Sequence, residues 1–193
     1  MTFRAPPMSA AWQHRDARAG FEVVFLHPVG AGCRVEGTTT AVEDGAAWVV
    51  GYSLRLDRGW KARSAHVVGR SPGGARELSL ESDGAGRWLI NGTASAALDG
   101  CLDVDLESSA LTNAFPVRRL GLDIGRQAEA PAVYVRAADL DVERLAQRYV
   151  RLDDGEHGQR YRYVAPRFEF ECDLSYDAGG LVLAYPGIAV RAA

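Results

Sequence analysis

The chain has 193 residues, a formal net charge of −3 and a pI near 5.8, a length that fits one domain spanning 1–193 with a sizeable core. With Lys61 the only lysine and no basic tract, the balance gives no footing for polyanions, and nucleic acid is not an expected partner. No stretch approaches the ~18 apolar residues of a membrane span, residues 1–8 lack the apolar centre of a signal peptide, and Cys33, Cys101 and Cys172 have no metal-pair spacing, so a cytoplasmic protein without disulfides, metal or other cofactor is expected.

Short alternating or β-branched runs follow one another along the chain. They include Phe21-Glu22-Val23-Val24-Phe25-Leu26, Ala47-Trp48-Val49-Val50-Gly51-Tyr52-Ser53-Leu54, and residues 76–80, 132–136 and 181–185. Turn signals separate them: Glu43-Asp44-Gly45, Ser71-Pro72-Gly73-Gly74, Ser82-Asp83-Gly84-Ala85-Gly86, Asp153-Asp154-Gly155 and Asp177-Ala178-Gly179-Gly180. The pattern predicts an antiparallel, mostly β protein.

The run Leu98-Asp99-Gly100-Cys101-Leu102-Asp103-Val104-Asp105-Leu106-Glu107 stands out. Read as one strand, it places Asp99, Asp103, Asp105 and Glu107 on one face and Leu98, Leu102, Val104 and Leu106 on the other. Carboxylates two residues apart would then lie about 6.5 to 7 Å from one another, close enough to repel unless water or a ligand screens them. A solvated outer face is the plain alternative. The preceding strand candidate, Arg87-Trp88-Leu89-Ile90-Asn91, offers no alternating basic row, so the stripe is a candidate functional surface.

Helical spacing occurs at Leu140, Glu143, Arg144 and Gln147 against Val142, Leu145, Ala146 and Tyr149, and a second helix candidate is the short run after Ser108-Ser109, which Pro116 would end. Further on, Arg160 and Arg162 alternate with Tyr161 and Tyr163, and Glu169, Glu171 and Asp173 alternate with Phe168, Phe170 and Cys172. A hairpin turning at Ala165-Pro166 would pair Arg162 with Glu169 and Arg160 with Glu171, and Tyr163 with Phe168 and Tyr161 with Phe170 on the other face. This second acidic stripe is explained by cross-strand ion pairs. An Asp-x-x-Gly turn followed by a short strand occurs twice, at Asp83 and Asp177, a chemistry any all-β protein reuses.

Other chemistries find less support. His14, His27, His66 and His157 are scattered, no Ser stands in a nucleophile elbow, and Asp-x-x-x-Asp-x-Asp lacks the calcium-loop glycine and terminal glutamate. Cys101 beside carboxylates would have its thiolate suppressed. The carboxylates do suffice in number for a glycosidase acid and base, which keeps a carboxylate-dependent glycoside hydrolase as the alternative to a binding protein.

From residue 86 onward, Gly86-Arg87-Trp88, the Asp99-Gly100-Cys101-Leu102-Asp103-Val104-Asp105-Leu106 run, Thr112-Asn113-Ala114-Phe115-Pro116-Val117-Arg118-Arg119-Leu120, Gln147-Arg148-Tyr149, and Gly180-Leu181-Val182-Leu183-Ala184-Tyr185-Pro186-Gly187 with Arg191 resemble, in order and spacing, the putative glycolipid-binding family of bacterial proteins. Trp12, Gly37, Tyr52 and Trp60 extend the likeness toward the N-terminus; Ala110-Leu111 departs from the Pro-Phe common before the Thr-Asn motif. The resemblance implies a highly curved, many-stranded antiparallel sheet, a half-barrel wrapped around a single helix, remotely similar to lipoprotein localization factors. It also implies a homodimer and an acidic pocket, for which Asp99, Asp103 and Asp105 match the family motif.

The chemistry of such a site is carboxylates accepting from sugar hydroxyls, with aromatic rings against sugar faces. The candidate ligand-binding residues are Asp99, Asp103, Asp105, Asn113, Arg118, Arg119, Trp88 and Tyr185. Arg118 or Arg119 could neutralise the carboxylates or grip a phosphate; a structural ion pair is the alternative for one of them. Trp12, Trp48, Trp60 and Trp88 are individually expected in the core. The expectation is non-catalytic binding of a glycolipid or related amphiphile, with the head group in the acidic pocket and the acyl chain on the concave face of the sheet.

Overall fold

A computed structural model describes residues 3–193. Strands β1 (Ser9–His14), β2 (Ala19–Val29), β3 (Gly32–Glu43), β4 (Ala46–Leu56), β5 (Ala62–Ser71) and β6 (Gly74–Ser82) form a long antiparallel meander that β7 (Trp88–Ile90) and β8 (Thr93–Ala94) extend to one edge. Strand β9 (Asp103–Leu106) leaves that sheet and leads through a 3-10 turn, Leu111–Asn113, into α1 (Ala114–Leu120). Then come β10 (Gln127–Glu129), β11 (Ala132–Val135), β12 (Val142–Leu145), β13 (Arg148–Arg151), β14 (Arg160–Ala165), β15 (Phe170–Tyr176), β16 (Val182–Tyr185) and β17 (Ala189–Arg191). β17 pairs with β1, so the second half of the chain continues the first sheet from its other side, giving 14 strands in the order β10-β13-β14-β15-β16-β17-β1-β2-β3-β4-β5-β6-β7-β8.

The fold is mostly β, 55% strand and 8% helix, with one large antiparallel sheet that does not close and a single α-helix among the described residues. Side-chain contacts show how the sheet bends. Tyr149 on β13 donates to Asn113 Oδ1 (2.8 Å), while Tyr52 on β4 lies 3.3 Å from Ser109 Oγ. Eight strand steps separate β13 from β4, about 38 Å in a flat sheet, yet both reach one stretch of five residues. The sheet therefore curls around residues 108–120.

Inside the curl lies a second, three-stranded sheet, β12-β11-β9, in which β9 and β11 run parallel. All four residues of each are buried, as expected of strands covered on both faces. Val104, Leu106 and Val133 of this layer and Leu111 and Phe115 of the helical segment join Val24, Leu26, Val35, Leu54, Val67 and Leu80 of the large sheet in one apolar cluster. The concave side beneath β2–β6 is thus filled with protein.

Two local expectations are corrected. The 140–149 stretch forms β12 and β13 rather than a helix: Leu140 has φ +59°, outside the right-handed helical region, and the two strands pair with different sheets. A 3.6-residue period read over so few residues does not compete with that pairing. Pro116, expected to end a helix, occupies the third position of α1, where its missing N–H costs no intrahelical bond; Gly121 at φ +53° ends the helix instead.

The 160–176 hairpin forms, but four positions out of the expected register: Arg162 faces Asp173 and Tyr163 faces Cys172. A 3-10 turn at Pro166–Phe168, ended by Glu169 at φ +49°, lengthens the connection. Because the slip is even, the faces are unchanged, and Arg160–Asp173 (2.8 Å), Arg162–Asp173 (3.0 Å) and Arg162–Glu171 (3.2 Å) still pair on the outer face. The two Asp-x-x-Gly turns also share chemistry: Asp83 accepts from Ala85 and Arg87 N–H, and Asp177 from Leu181 N–H.

Candidate functional site

The acidic run is not one strand. A 3-10 turn at Ala96–Leu98 and Gly100 at φ +87° interrupt it, so Asp99 is exposed on a turn and shares no face with Asp103 and Asp105. Strand β9 begins only at Asp103, which is 1% exposed, followed by Asp105 at 7% and the half-buried Glu107. The solvated-face alternative therefore fails for Asp103 and Asp105. Two carboxylates buried on one strand need either partners or protons.

Asp103 has a partner. Arg119, in the last turn of α1, donates from Nε to Oδ1 (3.1 Å) and from Nη2 to Oδ2, a bidentate pair. Burial pushes the Asp103 carboxyl up and the Arg119 contact opposes it. Arg119 is thereby the structural ion pair weighed from the sequence. Arg118 points elsewhere: its guanidinium lies 3.9 Å from the Trp60 ring centroid and donates to the Arg4 and Gly179 carbonyls. Its pKa is lowered to about 10 by burial.

Asp105 has no such counter-ion. Its one hydrogen-bond donor among the described residues is Thr112 Oγ1 (3.1 Å), and its pKa is pushed up to about 7, chiefly by burial and further by the carboxylates of Asp103 and Glu107. It lines a cavity of about 230 Å³ between the inner sheet and the second half of the large sheet. The walls are aromatic. Tyr163, Tyr185 and Phe170 form a triangle with ring centroids 6.1 to 6.2 Å apart, and Tyr134 packs on Phe168 at 5.3 Å. Asn113 and Arg18 complete the lining, Arg18 with its guanidinium over Trp48 (5.1 Å) and directed to Glu43.

Of the residues singled out from sequence, Asp105, Asn113 and Tyr185 thus border one cavity. Asp99 and Trp88 border a separate surface depression of about 530 Å³ with Arg87 and Leu89; Trp88 itself is 1% exposed, its indole N–H bonded to the Cys101 carbonyl (2.9 Å). Trp12 and Trp48 are likewise buried. The Cys101 thiol is pushed up to about 11, first by burial and then by Asp103 and Asp99.

A third buried carboxylate escaped the sequence reading. Glu22 on β2 is fully buried and accepts from the Tyr52 hydroxyl (2.6 Å), the Ser109 hydroxyl and the Ala110 N–H (2.8 Å). With Thr39, which donates to the Ser108 carbonyl (2.7 Å), it ties residues 108–110 to the sheet and so sets where Asp105 and Asn113 stand. Nothing in Phe21-Glu22-Val23-Val24-Phe25-Leu26 reveals this, since both faces of that strand are apolar apart from Glu22 itself. The aromatic wall was visible as the alternating Tyr163, Phe168 and Phe170, but nothing in the sequence joins it to β9.

An open, strongly curled antiparallel sheet around one short helix, with a polar-aromatic cavity between its layers, defines a β half-barrel. Residues 9–191 match the family described as putative glycolipid-binding, and the chain belongs to that family. It is similar to a DUF1089 family protein from Pseudomonas aeruginosa of known crystal structure, at 34% identity and TM-score 0.75, over 98% of this chain and 95% of that one. A beta-barrel-like protein of the domain of unknown function DUF1849 from Brucella abortus shares the fold at 12% identity, TM-score 0.54, over 98% and 96% of the two chains. No curated protein matches.

Proposed function

We propose that this protein, acting as a single domain, binds an amphiphile without transforming it, and that Asp105, Asn113, Tyr134, Tyr163 and Tyr185 receive the head group. The observation that carries the reading is the buried carboxyl of Asp105, without a counter-ion, in an aromatic-lined cavity. The family description, glycolipid binding, gives the ligand class at its coarsest. At about 230 Å³, room for roughly eight waters, the cavity holds a head group and not a whole lipid; an acyl chain would leave past Phe168, which is exposed at its rim. Asp99, Asp103, Trp88, Arg118 and Arg119 lie outside this reading.

A glycosidase needs two carboxylates free to act. Here Asp103 is held by Arg119 and Glu107 accepts from the Ala137 N–H (2.7 Å), which supports binding over hydrolysis. The partner on the outside of the sheet is a second copy of the chain: Phe21, Val23 and Phe25 stand 42–50% exposed in a row on the convex face of β2, apolar surface that a symmetric homodimer would cover. Free Cys33, Cys101 and Cys172 suit a reducing, cytoplasmic setting, and no helix is long and apolar enough to cross a membrane among the described residues.

Native mass spectrometry of protein purified from its own source tests the reading. A retained small-molecule mass, absent from Asp105→Ala purified in parallel, is expected. Reproducible hydrolysis of a glycolipid head group that the variant loses would replace it with the enzymatic one.

A further inference from the structure

The polar groups around the cavity are unevenly matched. The Ser109 hydroxyl is spent on Glu22, the Tyr134 hydroxyl on Glu107, and the Tyr163 hydroxyl on the oxygen of Tyr185. Arg18 carries the one positive charge of the lining; its guanidinium lies over the Trp48 ring and meets the Glu107 carbonyl (3.3 Å) and Glu43 (3.8 Å), which offset its charge, while its Nε has no hydrogen-bond partner. What remains facing the cavity is the acceptor Asp105, the π-systems of five rings and three unspent donors, the Asn113 amide, whose Oδ1 is taken by Tyr149, the Tyr185 hydroxyl and Arg18 Nε. Aromatic faces carry negative potential and attract cations within about 6 Å of the ring centroid, most strongly where water is excluded. An anion placed there would meet two carboxyls, Asp105 and Glu107, against a single arginine already offset by Glu43, and a neutral sugar would find only three free donors.

We propose that the group this cavity takes is cationic, an alkylammonium function held between the rings of Tyr134, Phe168, Tyr163, Phe170 and Tyr185 and the carboxylate of Asp105. The proposal rests on the reading of this cavity as a head-group site and narrows its ligand class. Entry of a cation supplies the counter-ion that Asp105 lacks, so the carboxyl ionises as the ligand binds. The charged and titratable groups around Asp105 are Asp103 on its own strand, Glu107 just past its end, Arg18 in the cavity lining, and Tyr134, Tyr149, Tyr163, Tyr176 and Tyr185 from β11, β13, β14, β15 and β16. Burial raises all five phenols above their ordinary range, leaving them neutral near pH 7, so affinity should follow Asp105 and rise between pH 6 and 8.

Isothermal titration of the full chain with hexyltrimethylammonium, hexyl β-glucoside and hexyl sulfate, three probes with one tail, tests this. Hexyltrimethylammonium should bind at least tenfold more tightly than the other two, the preference should fall by about tenfold in Asp105→Asn and in Tyr185→Leu, and wild-type affinity should increase from pH 6 to pH 8. Glucoside binding equal to or tighter than ammonium binding overturns the cationic ligand while leaving a head-group site in place. Preference for the sulfate overturns the charge argument in the same way. Failure of all three to bind, with the protein folded by circular dichroism, removes the head-group reading and this inference together.

Discussion

Replacing Asp105 by Asn isolates the cost of a buried ionisable group. The carboxyl has its pKa raised from 3.8 to about 7 by burial and by Asp103 and Glu107. Between those pH values the native state keeps a proton that the unfolded chain releases, so the contribution of Asp105 to stability falls as pH rises through this window and is level above it. At 1.36 kcal/mol per pKa unit the full loss is at most about 4 kcal/mol. Asn has nearly the same shape, still accepts from Thr112 Oγ1, and does not titrate. Urea unfolding of both proteins from pH 4 to pH 8.5 should therefore show Asp105→Asn gaining on the wild type from about pH 4 to pH 7 and holding a constant advantage above. Subtracting the two curves cancels every other titration the proteins share. A difference that stays flat to within about 0.5 kcal/mol over this range would refute the buried, unpaired carboxyl on which the binding reading stands.

Three further outcomes are expected. Arg119→Ala should cost about 3 to 5 kcal/mol by stranding buried Asp103, and Asp103→Asn in the same chain should restore part of it; equal losses in single and double variants would mean the pair is not coupled. Glu22→Ala should cost about 3 kcal/mol, because Tyr52, Ser109 and the Ala110 N–H lose their acceptor, and an unfolding midpoint unchanged from wild type would contradict that role. Light scattering at micromolar concentration should give the mass of a dimer, through an interface above about 1,000 Å², and Phe25→Asp should yield a monomer of unchanged far-ultraviolet circular dichroism; a wild-type monomer that persists on concentration excludes the dimer.

The alternation of apolar residues and the glycine-rich turns were enough to specify an antiparallel, mostly β chain, because side-chain parity and turn chemistry are local properties. The motifs at 99–106, 112–120 and 180–187 likewise carried the family. Locality is also where the sequence misled. A helical period across Leu140 to Tyr149 was an accident of two short strands that pair in different sheets, and the 162–173 register depended on a 3-10 turn whose length propensity does not reveal. The acidic stripe was half right: its parity holds from Asp103 to Glu107, and Gly100 breaks it before Asp99.

Only the tertiary structure decides what these carboxylates do. Asp103 and Asp105 are two residues apart on one strand, in the same kind of sequence, yet one is clasped by Arg119 from the last turn of α1 and the other meets a wall of tyrosines and phenylalanines from β11, the 166–168 turn, β14, β15 and β16. The partners come from segments about 15 to 80 residues away along the chain, brought in by the curl of a sheet whose halves join where β17 pairs with β1. Whether a carboxyl is paired, neutral or waiting for a cation depends on the dielectric and the charges within a few ångströms of it, and those neighbours are set by how the sheet closes, not by what precedes or follows the residue in the chain.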